Sequence, residues 1–555
     1  MRTLLFSRMI RPLMALILAL ILAAQPVLSV QAAAVAGCSD DYCTYLPVIF
    51  RAPPVDLTIA GLEVTQAVQK VDNSVPLVAG RKTVVRVFAQ AFIYTGTPST
   101  ASKVKLSATR NGVVLAGAFE TPLTSVSTSP TRGAYSSTVN LYLPDAWTSG
   151  TIVLTATVDS AGQVQETVEN NNTYSLTLTF NSVPNVKVMI VPVRYKHTPT
   201  GVTYAAPTVD TISTKIKQMY PVANVEILWH SSYYYEGDLR QIASFQDLLY
   251  KIDDLKMSES QPYSVAYYGL VPADWFSSGV VGIGFVGYRA AVGLNYWDAT
   301  GTAAHEIGHN YGLYHAPCGG PSDSDPYYPY SGGAIGQYGV NVYTNQLISS
   351  TRPDLMTYCD NEWISDYHYI KLYNNQRYAA DVATEITGDM LMLRASLDST
   401  GQASFSPTYQ LDGPIDAPAE SSPYFVRLLA ADGRMLSEQP VQLYEIADLP
   451  QPVYHLMTRV ALPAESPAWV QLWRGGELLA EQALDSGKTA LQAAPLATVQ
   501  GEKLTWSGAT GPVLVRHSAD GGQTWQTLAA DVQGGSLELD SSLRDGLFEI
   551  IPAMR

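Results

Sequence analysis

Positive charge is in short supply in this chain. Lysine and arginine number 34 against 49 aspartate and glutamate, giving a net charge of −15 and a pI near 5.0. So acidic a chain is a poor partner for nucleic acid or an anionic membrane surface. Charge of either sign is sparse, 15% against 46% apolar residues, which describes a folded chain and excludes a disordered one. Beyond the N-terminus no apolar run is long enough to span a membrane. The glycine-rich stretch at 279–287 is followed by no Lys-Ser or Lys-Thr, so it is not a phosphate loop and reads as a flexible segment. Histidine is also scarce, eight in 555 residues, so a cluster of it carries information.

What is present begins with a targeting segment. Arg2, Arg8 and Arg11 precede an apolar run at 13–28, and the small residues Ala32, Ala33 and Ala34 follow. Residues 1–34 read as a secretory signal peptide, with a retained anchor helix as the alternative. The protein is therefore expected to be exported, with no membrane span once the signal is removed. Val35-Ala36-Gly37-Cys38 resembles the lipid-attachment box of bacterial lipoproteins, so a lipid anchor at Cys38 on the cell surface is the alternative localisation. The length exceeds one core, and about three to five domains are expected.

Three of the eight histidines fall in one stretch, His305-Glu306-Ile307-Gly308-His309-Asn310-Tyr311-Gly312-Leu313-Tyr314-His315. His305 and His309 are four apart and share one face of a helix, where they can grip one metal ion. Glu306 is placed to reach the attacking water without ligating the metal. Gly312 lets the chain leave the helix through a conformation most residues avoid and bring His315 back as a third imidazole. Three neutral nitrogens and an open fourth position describe a catalytic Zn²⁺ site. An ordinary helix that happens to hold histidines is the bland alternative, and background residue frequencies make this pattern a rare accident.

The stretch has the form H-E-x-x-H-x-x-G-x-x-H and resembles the zinc signature of the metzincin metalloproteases. That resemblance implies a Met-turn beneath the metal, for which Asp354-Leu355-Met356-Thr357-Tyr358-Cys359 is the candidate, with Met356 as its methionine. It further implies Tyr358 as an extra metal ligand or oxyanion partner. Cys318 follows the helix and Cys359 ends the turn, so a bridge between them would tie the two segments together. Cys359 as a zinc ligand is the weaker alternative, since three histidines suffice. Cys38 and Cys43 are the remaining pair, and with no other cysteine before the zinc helix a cysteine switch is not expected.

The surroundings read as several units. After a linker at 35–54, residues 55–182 alternate as strands of a β-sandwich. Glu169-Asn170-Asn171-Asn172 resembles a feature of bacterial immunoglobulin-like adhesion modules. From 183 to 385 strands and helices alternate, with helices expected at 208–220, 238–255 and 366–382 and an edge strand at 290–296. This order resembles the upper metzincin subdomain, whose edge strand pairs with extended peptide substrate. Residues 386–490 read as a second sandwich, and 491–555 as a small β domain. Ser518-Ala519-Asp520-Gly521-Gly522-Gln523-Thr524-Trp525 has the form of the Asp-box turn of sialidases and is read as structural. The expected fold class is multidomain, an α/β metzincin catalytic domain flanked by all-β immunoglobulin-like sandwiches.

The expected function is a secreted, monomeric zinc endopeptidase acting on protein or glycoprotein. His305, His309 and His315 hold Zn²⁺, Glu306 acts as general base and Tyr358 assists at the oxyanion. Sandwiches around such a unit, with Asn310-Tyr311-Gly312-Leu313 in the motif, look similar to secreted bacterial proteases that act on mucin-type glycoproteins. The rivals are a non-catalytic adhesin that keeps the unit as scaffold and a zinc hydrolase of a non-peptide amide. His368, after the Met-turn, is either a substrate contact or an ordinary helix histidine.

Overall fold

The computed structural model describes residues 54–209, 211–259, 261–272, 279–381, 386–484, 496–509 and 511–554. The expected signal peptide, nearly all of the expected linker, and Cys38 and Cys43 lie outside these residues. Residues from Val55 to Arg555 form one compact unit.

The N-terminal part of that unit has two sheets. Val55–Thr65, Val84–Ile93 and Val139–Tyr142 form one, and a six-stranded sheet centred on Gly150–Val158 forms the other. Alternate apolar residues of both, including Leu57, Val85, Leu106 and Leu154, share one core that closes around Trp147, as period-2 patterning requires. Further along, a five-stranded sheet that includes Ile386–Leu397 and Tyr454–Ala461 faces a four-stranded one that includes Tyr424–Leu429 and Trp469–Arg474. Leu391, Leu393, Val426 and Leu472 fill the space between. Two three-stranded sheets complete the C-terminal part. There Asp520 accepts the backbone N–H groups of Gln523 and Thr524 at 3.0 and 2.9 Å, closing a turn.

A mixed seven-stranded sheet lies between these parts in sequence. Val186–His197 is its central strand. Parallel to it run Val225–Trp229, Tyr233–Gly237 and Val265–Pro272, and Ala290–Asn295 follows Val265–Pro272 in the same sense. Val202–Tyr204 and Gly282–Gly284 pair antiparallel. Among the described residues four α-helices accompany it: α1 (Thr214–Met219), α2 (Ile242–Ser258), α3 (Ala299–Asn310) and α4 (Asp366–Asp381). In α2, Phe245, Leu248, Leu249, Ile252 and Leu255 recur at helical spacing and are all buried.

The expected fold class does not hold. Strands make up 45% and helices 12% of the structure, the build is sandwich-like and multidomain, and no α/β metzincin core is evident. The physical reason lies in what covers the central sheet. The apolar run at 186–193 needs cover on both faces, but helices provide only part of it. On one face α2 shares the work with strands of the following sandwich, through Met390, Met392, Tyr409, Leu411 and Met457. The helix expected at 208–220 forms only over Thr214–Met219. The glycine-rich stretch is likewise not merely flexible: Gly282–Gly284 is a strand at the sheet's end, outside Ala290–Asn295.

Candidate metal centre

Helix α3 packs on the strand Ala290–Asn295 with Ala303, Ala304 and Ile307 buried. Its last turn is pinned to the sheet by the Asn310 side-chain amide, which donates to the carbonyls of Phe285 at 3.0 Å and Ala290 at 2.9 Å. Gly312 has φ +80°. Its N–H donates to the His309 carbonyl at 2.8 Å, and the Leu313 N–H donates to the Gly308 carbonyl at 3.1 Å. This is the paired-bond ending that a left-handed residue permits, and it reverses the chain after the helix. His315 returns to the face that carries His305 and His309.

The three rings converge. Their Nε2 atoms are 3.2 Å (His305–His309), 3.2 Å (His305–His315) and 3.1 Å (His309–His315) apart. Each Nδ1 faces an acceptor: the Leu355 carbonyl at 2.9 Å, the Leu313 carbonyl at 2.8 Å and the Asp323 carboxylate at 2.5 Å. In a neutral imidazole only one nitrogen carries the proton, and these acceptors hold it on Nδ1. The Nε2 lone pairs are therefore aimed at one another, which without a cation is repulsive. A tetrahedral ion with nitrogen ligands at about 2.0–2.1 Å holds them about 3.3 Å apart, close to the observed spacing. The donor set fits a metal ion, and the acceptors behind each Nδ1 are the partners that orient metal-bound histidines.

A fourth group completes the set. Asp448, from the turn after Leu443–Glu445, brings Oδ1 to 3.0 Å from His315 Nε2 and Oδ2 to 3.4 Å from His309 Nε2. Its side chain is 8% exposed, and Oδ2 accepts no hydrogen bond. With the Nδ1 atoms holding the imidazole protons, this carboxylate is met at Nε2 either by an added proton on His315 or by a cation. Burial holds the His305 ring down to about 3. Burial opposes charge on His315 as well, but its hydrogen bonds to Asp323 and Asp448 prevail and raise it to about 9. That proton and a metal ion compete for the same nitrogen.

Glu306 does not join the ligand cluster. It is 2% exposed, and its Oε2 has no hydrogen-bond partner. Burial, then the negative charge of Asp448, pushes its carboxyl well above the usual range. It lies against the edge strand, and this explains the glycines there. A Cβ at Gly282 would sit 2.5 Å from Glu306 Oε1, and one at Gly284 would sit 3.1 Å from the Glu306 carbonyl oxygen. Any other residue at Gly282 would displace the carboxylate. A cleft of 620 Å³ opens beside the site, lined by Gly282, Tyr296, Trp297, His305, Glu306 and Tyr358 among others.

The segment 354–359 lies under the ligands. Met356 is fully buried, and a Cβ on Gly308 would meet its sulfur at 2.7 Å. The Asp354 carboxylate shapes the turn by accepting the Met356 N–H at 2.8 Å and the Ser365 N–H at 2.9 Å. His368 reaches Asp354 through Nδ1 at 2.7 Å and is fully buried. It therefore buttresses the turn and has no access to substrate. Tyr358 is 47% exposed, with its ring centroid 4.8 Å from that of His315. Its hydroxyl donates to Asp448 Oδ1 at 2.6 Å.

Cys318 and Cys359 form a disulfide across a sequence separation of 41. Closing a loop of that size should stabilise the fold by about 4 kcal/mol on the chain-entropy estimate. The double variant Cys318→Ser, Cys359→Ser is expected to lose about that amount, read from the denaturant midpoint. An unchanged midpoint would show that the bridge does not constrain the unfolded chain.

The motif thus supplied three of the four clustered donors, with Glu306 beside them, and the structure brings Tyr358 to the same place. Sequence reasoning missed Asp323 and Asp448. Asp323 lies eight residues beyond His315, close enough to have been considered. Asp448 stands in Ile446-Ala447-Asp448-Leu449-Pro450, which has no metal-site spacing and is far downstream.

Convergent imidazoles and a buried carboxylate beside a cleft make a group that could hold a metal ion. Residues 270–387 match the family model Peptidase M66. The match supports a metallopeptidase and implies a metal cofactor. No curated protein matches. Among solved structures, the CARDB domain from Pyrococcus furiosus in complex with di-metal ions is 15% identical. It covers 24% of this chain and 97% of its own, with a TM-score of 0.16. A glycosyl hydrolase family 2 member from Bacteroides cellulosilyticus is 9% identical, with 91% and 76% covered and a TM-score of 0.17. Likenesses this slight carry no argument about fold or function.

Proposed function

We propose that the protein is an exported zinc endopeptidase that cleaves protein or glycoprotein chains, with its catalytic unit within 183–385. The observation that carries this reading is the meeting of three Nε2 lone pairs beside a buried, unpartnered Glu306 on the wall of a cleft. His305, His309 and His315 would hold the ion. Zinc bound by imidazoles supplies Lewis acidity, which makes water acidic near neutral pH and polarises a carbonyl.

The chain's own groups do the rest. Glu306, held high by burial, accepts the proton of the attacking water and returns it to the departing amine nitrogen. Gly282 and Gly284 leave room for its carboxylate. The Tyr358 hydroxyl is placed to donate to the carbonyl oxygen as negative charge develops there. Met356 and the Asp354–His368 pair hold the floor of the site. Tyr296, Trp297 and Tyr358 on the cleft wall suit extended or glycosylated substrates, and the metzincin-type motif is similar to that of mucin-cleaving bacterial enzymes.

Incubation of the purified protein with casein and with mucin, with and without a chelator, tests this. Cleavage that the chelator abolishes and zinc restores is expected. Glycan binding with no cleavage would favour an adhesin. Chelator-sensitive hydrolysis of small non-peptide amides alone would favour the other hydrolase.

A further inference from the structure

The cleft already contains a piece of the chain. The segment from Glu445 to Pro450 runs along the free edge of the sheet, beside Gly282–Gly284. The Val286 N–H donates to the Glu445 carbonyl at 2.8 Å, and the Ala447 N–H donates to the Gly284 carbonyl at 2.9 Å. Phe285 and Ile446 form an antiparallel bridge between them. This is strand addition at a sheet edge, the geometry by which extended peptides are bound. The next residue, Asp448, has φ +64°, a left-handed conformation that non-glycine residues adopt at a cost and that collects at functional sites. The bend drives its carboxylate in among the three imidazoles and under the Tyr358 hydroxyl. Leu449 and Pro450 then continue along the cleft wall.

We infer that this segment holds the enzyme latent. It lies as a substrate strand would lie, Asp448 takes the fourth position that a catalytic centre must keep open, and Tyr358 is engaged by the same carboxylate. Turnover requires the segment to leave the edge. Two features favour a device over a permanent fourth ligand. Glu306 and Gly282 preserve a catalytic pocket that a closed structural site would not need. The strained Asp448 also stores part of what its release requires. The segment is anchored from behind by Ile446 and Met457 in the core shared with the central sheet. Displacing or cleaving this sandwich would therefore withdraw Asp448. The inference rests on the endopeptidase reading, and its test separates the two.

The full-length protein, Asp448→Asn and Asp448→Gly would be loaded with Co²⁺. Asparagine and glycine both tolerate the left-handed backbone, so the loop keeps its course. Visible absorption, acetohydroxamate affinity and casein hydrolysis would be read on each, with thermal melts to confirm folding. Both variants should retain one ion per chain, show an altered cobalt spectrum and bind acetohydroxamate about tenfold tighter or more. Casein hydrolysis should rise by a similar factor. Tighter hydroxamate binding with no cleavage by any form would uphold the occupied fourth position and sink the peptidase reading. Equal spectra, affinities and cleavage rates in wild type and variants would overturn latency and leave the peptidase standing. Loss of the ion from both variants would overturn it too, since Asp448 would then be a required ligand.

Discussion

Replacing Glu306 with alanine is expected to slow peptide hydrolysis by about 10²–10⁴-fold, the usual worth of a positioned proton carrier, while the metal stays bound. The two readouts separate because Glu306 is not part of the ligand cluster, which is completed by Asp448. Its carboxylate instead rests on the edge-strand glycines, with Oε2 unpartnered. Truncation removes a buried carboxyl with an unpartnered oxygen, so stability should not suffer and can rise. Metal content by atomic absorption and casein hydrolysis make the measurement, run also in the Asp448→Asn background so that a closed cleft cannot hide the effect. A variant that cleaves as fast as its parent there would remove Glu306 from the mechanism. Glu306→Gln should behave like alanine, since the amide keeps the shape but cannot take a proton.

What could be read from the sequence was what the chain builds locally. His305, His309 and Gly312 act within one helix and its ending, so spacing alone aligns two rings and reverses the chain toward His315. Cys318 and Cys359 flank the same small region, and their bridge follows from that proximity. The edge strand was harder. Gly282 and Gly284 look like flexible punctuation until Glu306 is seen pressed against them, and that contact crosses from sheet to helix. Asp448 was beyond reach altogether. Its neighbours of ligand type, Glu438, Glu445 and His455, fall at no metal-site spacing, and only the docking of one β layer on another brings it to His315. The fold class failed for a related reason. An apolar run such as 186–193 announces that both its faces are covered but not by what, and strands such as Ile386–Leu397 supply part of that cover here.

His309→Ala should abolish both metal binding and hydrolysis, and it should lower thermal stability by an amount set by the metal itself. His309 is fully buried, its Nδ1 proton is committed to the Leu313 carbonyl, and its Nε2 is 3.1–3.2 Å from both other ring nitrogens. Without it two imidazoles and a carboxylate remain, a poorer set with a gap where the ring stood. A ligand that binds only the folded state stabilises it by RT ln(1 + [L]/Kd), about 2.7 kcal/mol at a hundredfold excess over Kd. Chelator should therefore lower the melting temperature of the wild type toward that of the variant and leave the variant nearly unmoved. Asp323→Asn provides the graded comparison. It keeps all three rings but weakens the acceptor behind His315, a loss that for such partners is about 10–100-fold in metal affinity. Its melting temperature should fall between the two and recover as metal is added. If chelator shifted wild type and His309→Ala equally, the stabilising ion would have to sit elsewhere, and the three imidazoles would not be its site.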